Sequence, residues 1–144
     1  MRAQATDEIF INVAAKDIIE AITRLSVDAS WWPGARTSGA YGWVAVSAPT
    51  GRPFSRVRFR ADISSVREWE GFTWVLTEGE LVGRAEWWIE AFKDGAIVHH
   101  YLDCTRGQRG RWRRAPAILR RHRWAIRHGL NGLKDALEAR ANAR

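Results

Sequence analysis

The sequence predicts an α+β fold: one strand and two short helices, then a meander of antiparallel strands, closed by one long C-terminal helix. Three observations predict it. Residues 14–25 and 117–141, near the two ends of the chain, carry a helical period. Between them, from Ser38 to Thr105, strand-like runs alternate with turn signals. No internal repeat or low-complexity linker divides the 144 residues, a length suited to one domain with a respectable core, so the last helix must cover the face of the meander.

Taken in order, EIFINV (8–13) alternates as a strand, and AAKDIIEAITRL (14–25) places Ile18, Ile22 and Leu25 on one helical stripe. SVDASWWPGA follows, with a second short helical turn from Asp28 that Pro33-Gly34 stops. The strand from 38 to 47 has no clear polar face. Turn signals stand at APTGRP (48–53), ISSV (63–66), TEGE (77–80) and KDGA (93–96). Arg106 to Arg114 is a basic, Gly-containing connector, and Pro116 suits the first turn of the final helix.

Two hairpins sort the strand faces. A turn at Asp94-Gly95 sets Phe92 opposite Ile97 and Ile89 opposite His100. One face then holds Ala85, Trp87, Ile89, Ala91, Val98, His100, Leu102 and Cys104, apolar but for one imidazole; this is the inner face. A turn at Glu78-Gly79 pairs Trp74 with Gly83, placing Phe72, Trp74, Leu76, Leu81 and Gly83 inward and Glu80 outward. Gly83 opposite Trp74 leaves space where a side chain would stand. Arg56, Arg58 and Arg60 alternate with Val57, Phe59 and Ala61 and face solvent. A turn at ISSV (63–66) then puts Glu68 and Glu70 on the inner side, unless a bulge near Gly71 switches the register; the bulge is the better reading. On the last helix Leu119, His122, Ile126, Leu130, Leu133 and Leu137 form a 3.6-residue stripe. Beside it Gly129 either allows close approach or leaves a cavity, and Trp124 falls nearly opposite.

Composition bounds the function. Nine Trp residues suggest a wide apolar interior, or simply a core filled with large rings. One Cys and one Met exclude a disulfide framework and a thiolate metal cluster. No secretory h-region and no membrane-length apolar run are visible, so the cytoplasm is the simplest location. The net charge of +7 is concentrated: between Asp103 and His128 stand Arg106, Arg109, Arg111, Arg113, Arg114, Arg120, Arg121, Arg123 and Arg127 against a single acid. Such a patch fits nucleic acid, an anionic lipid surface or an acidic protein, or is a solvated helix face.

The segments EIFINVAAKDIIEAITRL, Trp31-Trp32, GELVGRAEWWIEAFKDGAIVHHYLD and HGLNGLKDALEARA, in this order, resemble the START-like (SRPBCC) superfamily. The likeness is narrowest to bacterial polyketide cyclase/dehydrase and lipid-transport proteins related to the pollen allergen fold. The resemblance implies a curved antiparallel sheet of six to seven strands gripping the C-terminal helix, with an apolar cavity between them. Family members bind lipids, sterols, quinones, polyketides or hormones, and a minority catalyse cyclisation or dehydration. The Arg-rich connector departs from the pattern.

His100 and His122 are the candidate polar groups, pointing into one interior from opposite walls. Either they hydrogen-bond a ligand oxygen or act as general acid or base, or they are satisfied core histidines. The expected apolar lining is Phe59, Phe72, Trp74, Leu76, Gly83, Trp87, Ile89, Leu102, Ile126 and Gly129, with Tyr41 as a phenol at the mouth. His99 should face outward against Glu90, and Cys104 should be buried and unreactive. No metal-ligand spacing, phosphate loop or nucleophile elbow appears, so no metal or cofactor is expected. Three functions follow in order: a binding protein for a hydrophobic small molecule, a cyclase or dehydratase using the same cavity, and an interaction protein using the 106–127 arginines on RNA, a ribosomal surface or anionic lipid. Exposed Trp88, Phe92, Tyr101 and Trp124 are compatible with a monomer or a homodimer.

Overall fold

A computed structural model describes residues 2–144. The chain runs β1 (Arg2–Ile11), α1 (Ala15–Thr23), β2 (Arg36–Ala40), β3 (Trp43–Pro49), β4 (Arg56–Arg67), β5 (Gly71–Gly79), β6 (Leu81–Phe92), β7 (Gly95–Arg106) and α2 (Ala115–Asn142). The seven strands form one antiparallel curved sheet in the order β1-β7-β6-β5-β4-β3-β2, and α2 lies along its concave face. No helix among the described residues is long and apolar enough to cross a membrane.

Several local expectations are corrected. The segment after α1 forms turns rather than a second helix: Pro33-Gly34 ends it, and the buried, stacked rings of Trp31 and Trp32 hold it against α2. Gly129 and Gly132 make that seat. A Cβ on Gly129 would lie 2.7 Å from the Trp32 ring, and one on Gly132 would lie 2.2 Å from the Trp31 carbonyl oxygen. Gly129 therefore serves close approach and leaves no hole. The strand expected over 38–47 breaks at Tyr41-Gly42, where Ala40 pairs with Trp43 and Gly42 has φ +88°. ISSV (63–66) is not a turn but part of β4; the chain reverses at Glu68–Glu70. The expected change of register occurs within β4, between Ser64 and Arg67, where Ser65 takes φ 49°, and Glu68 and Glu70 are exposed.

The inner face of the meander holds even though both hairpins turn at a different residue. Phe92 pairs with Gly95 across Lys93-Asp94, and Trp74 pairs with Ala85 rather than Gly83. Moving a turn by one residue slides the pairing by two, and side chains alternate with period two, so every residue keeps its face. Trp74, Trp87, Phe72, Ala85, Val98, His100, Leu102 and Cys104 are accordingly buried. Ala91, at the end of β6, is exposed. Burial pushes the Cys104 thiol up to about 12, so it remains protonated and inert.

The outward assignment of Glu80 fails. It stands at the β5–β6 turn, below the N-terminal half of α2, and its carboxylate accepts from Arg121 at 2.9 and 3.2 Å. The Arg113 Nε lies 3.3 Å away. Arg121 also donates to the Ser55 hydroxyl and the Arg56 carbonyl, so one guanidinium joins α2, the β3–β4 loop and the β5–β6 turn. Trp124, expected opposite the apolar stripe, stacks on His128 and lies against Gly51 of the β3–β4 loop.

Candidate functional site

The apolar stripe of α2 and the inner strand face meet around a narrow void. Its walls are Phe59 from β4, Trp74 and Leu76 from β5, Leu102 from β7, and His122 and Ile126 from α2, with His100 on the sheet side. His100 and His122 are 2% and 3% exposed, so the histidines expected from opposite walls do share one interior. Trp87 stands edge-on to His100 with centroids 4.7 Å apart, and Phe59 lies against His122 at 6.1 Å. The void itself measures about 10 Å³, roughly the room one water needs.

Both histidines are electrically quiet. Burial lowers His100 to about 4 against a pull upward from Asp7, and burial lowers His122 to about 4 against a pull from Glu80. They are neutral at pH 7. In each ring Nε2 is sealed from solvent with no hydrogen-bond partner, and the same holds for the indole nitrogens of Trp32 and Trp87. A buried polar atom left unpaired costs roughly 1–3 kcal/mol, so the two imidazole nitrogens beside one void call for a reason.

Two residues bordering the void were missed in the sequence. Asp7 was placed before the first strand, but β1 starts at Arg2, and the alternation Ala3, Ala5, Asp7, Ile9, Ile11 turns it inward beside its pairing partner His100. Arg123 belongs to the arginine stretch that the sequence reads as a partner-binding patch or a solvated helix face. It reaches back to Asp7 at 3.0 Å, and Arg127 does so at 2.7 Å. Burial alone would raise the Asp7 carboxyl, but the hydrogen bonds and charge of the two arginines outweigh it and hold the group below its usual value. Arg113, Arg121, Arg123 and Arg127 thus neutralise buried carboxylates that clamp α2 at both sides of the void, so the helical part of the arginine stretch is largely structural.

The remaining expected lining divides. Phe72, Trp87 and Ile89 pack in the core behind the void, and Gly129 lies under Trp32. Tyr41 is 104% exposed at the β2–β3 turn and takes no part in the interior. Gly83 leaves no space for a ligand: its φ is +141°, and a Cβ there would stand 2.6 Å from the Asp103 carbonyl oxygen. A Leu at this position should therefore disrupt the fold instead of merely filling a cavity. Gly83→Ala is expected to lower stability by about 2 kcal/mol or more, read from urea unfolding; an unchanged midpoint would refute the close-approach role. His99 pairs outward with Glu90 at 3.1 Å and with Glu8 at 2.9 Å, and the face of Trp88 covers it.

No protein-family model matches the sequence, and no curated protein matches it. Solved structures match over almost the whole chain. A START superfamily protein from Mycobacterium smegmatis superposes with TM-score 0.73 at 12% identity, over 94% of this chain and 97% of that one. Ara h 8.0201 gives TM-score 0.66 at 12% identity over 100% of both chains. The di-domain ARO/CYC StfQ from the steffimycin biosynthetic pathway gives 0.64 at 14% identity, over 99% of this chain and 53% of that chain. At these identities the likeness is one of fold: the chain has the START-like helix-grip architecture.

Proposed function

We propose that the protein binds a small hydrophobic molecule, lipid-, quinone- or polyketide-like, carrying a hydrogen-bonding oxygen, between the sheet and α2. One observation carries the reading: two neutral imidazoles with unpaired Nε2 atoms, set among Phe59, Trp74, Leu76, Leu102 and Ile126. An apolar lining with a few convergent polar groups is the usual chemistry of a small-molecule site. Apolar burial at about 25 cal/mol per Å² would supply the driving force, and a ligand carbonyl or hydroxyl would satisfy the imidazoles. The void of about 10 Å³ is the closed state, so binding requires α2 to move off the sheet.

Binding is favoured over turnover in the same site. A histidine whose conjugate acid titrates near 4 is a weak base at pH 7, whereas efficient general bases titrate close to the working pH. The cyclase or dehydratase reading would need substrate to raise one of these values.

Native mass spectrometry of the purified protein, followed by denaturing extraction, tests the proposal. The expected result is a bound apolar molecule with at least one oxygen. Returned to His100→Leu or His122→Leu protein, it should bind roughly 5- to 10-fold more weakly, the loss of about one hydrogen bond. A protein isolated empty, whose melting temperature ignores palmitate, a quinone and a sterol, would mean that the void holds only water.

A further inference from the structure

Four arginines of the connector and α2 are engaged on Asp7 and Glu80, whereas Arg36 and Arg58 on the outer face of β2, β3 and β4 form no ion pair among the described residues. The register builds a groove there. Arg36, Ser47 and Arg58 stand in one cross-strand row, and Ser38, Ala45 and Arg60 stand in the next. Small side chains thus floor a channel walled by arginines, about 440 Å³ in volume. Trp43 lies at one end, with the Arg60 guanidinium 4.3 Å from its ring centroid.

The connector extends this strip. Gly107 donates its N–H to the Glu80 carbonyl at 2.8 Å, and a Cβ on it would meet the Gly79 carbonyl at 2.3 Å. That docking brings Arg109 to the groove wall; two residues on in the chain, Arg111 lies 5.0 Å from the ring centroid of the exposed Trp112. Among the described residues Arg36, Arg58, Arg109 and Arg111 form no ion pair, and Asp62 meets Arg60 at only 3.4 Å. Glu78 is the one acid lining the groove. The mutual repulsion is felt nearby: burial, then the charges of Arg36 and Arg58, lower the Arg56 guanidinium.

We propose that this groove is a docking site for single-stranded nucleic acid, with the arginines on phosphates and Trp43 and Trp112 beside bases. Cations interleaved with aromatic rings along a channel are the chemistry of sequence-tolerant single-strand binding. The concavity favours a strand over a membrane, because a flat headgroup layer meets the arginine rims but not the floor of Ser38, Ala45 and Ser47. The site lies on the convex side of the sheet and is independent of the interior one.

Fluorescence anisotropy with a labelled 12-nucleotide oligouridine tests it. Binding at low salt should weaken with a log–log slope of about −3, for some four phosphate contacts at about 0.7 each. Arg36→Ala with Arg58→Ala should lose at least tenfold in affinity and about 1.4 of that slope, with an unchanged circular dichroism spectrum. Trp43→Leu should cost roughly tenfold with the slope kept, because stacking carries no counterions. Arg24→Ala with Arg140→Ala removes equal charge elsewhere and should leave binding intact. Equal loss in the two double variants would reduce the effect to net charge and overturn the proposal. So would absence of oligonucleotide binding, or capture of phosphatidylglycerol vesicles that depends on Arg36 and Arg58 while the oligonucleotide stays free.

Discussion

Acidification from pH 7 to 4.5 should destabilise this protein by roughly 5 kcal/mol, and His100 and His122 should account for most of it. Burial lowers both imidazoles to about 4, whereas in the unfolded chain they titrate near the ordinary 6.5. Above pH 6.5 both states are neutral at these positions and the groups contribute nothing. As pH falls below 6.5 the unfolded chain takes up protons that the folded chain refuses, so stability drops until about pH 4 and then levels. At pH 4.5 each imidazole contributes about 2.5 kcal/mol of that loss. Asp7 acts in a lower window. Its folded value is depressed, so its stabilisation is present above the unfolded 3.8 and is lost only as pH falls through the lower folded value. Urea unfolding of wild type and of His100→Leu/His122→Leu at both pH values separates these contributions. The double variant should lose little between pH 7 and 4.5, whatever its stability at pH 7. An identical loss in both proteins would mean that the histidines are not held neutral.

Glu80→Ala is expected to cost about 3 kcal/mol at pH 7. The Arg121 side chain is 14% exposed and that of Glu80 11%, so removing the carboxylate leaves a poorly solvated guanidinium next to His122, still bonded to Ser55 and Arg56. The pair itself contributes far less than its rupture, because both ions gave up hydration to form it. Glu80→Leu combined with Arg121→Met should therefore recover most of the loss. Urea midpoints of the single and double variants decide the point: a cost below about 0.5 kcal/mol for Glu80→Ala would place the pair with solvent-screened surface bridges. A double variant no better than the single would show that Arg121 acts through Ser55 and Arg56 rather than through Glu80. The ligand proposal also bears on this contact, since α2 must part from the sheet near the Glu80 and Asp7 clamps for the void to widen.

Much of the site was legible because alternation is a local property. Trp74, His100 and Leu102 were placed inward from hairpins whose turns were each misplaced by one residue, and the error cancelled because it preserved parity. His122 and Ile126 followed from the helical stripe alone. Tyr41 went astray because nothing in 38–47 distinguished a long strand from two short ones folded at Gly42. Asp7 is missed because the strand is read from Glu8 although β1 begins at Arg2, and its place between Ala5 and Ile9 carries the signal.

The order of elements, the inner and outer faces of β5, β6 and β7 and the two histidines of the interior are readable from local pattern, since these depend on periods of two and 3.6 residues. Tertiary structure alone decided where the charges go. Glu80 and Arg121 are 41 positions apart and Asp7 and Arg123 are 116, and no local pattern says that an arginine on a polar helix face will fold back onto a buried carboxylate. The same holds for the closed interior. Only Trp31, Trp32, Trp74 and Trp87 of the nine tryptophans are buried, and whether these line a space or fill it depends on how rings from β5, β6 and the Trp31-Trp32 segment meet α2; the glycine seats at 129 and 132 let them fill it.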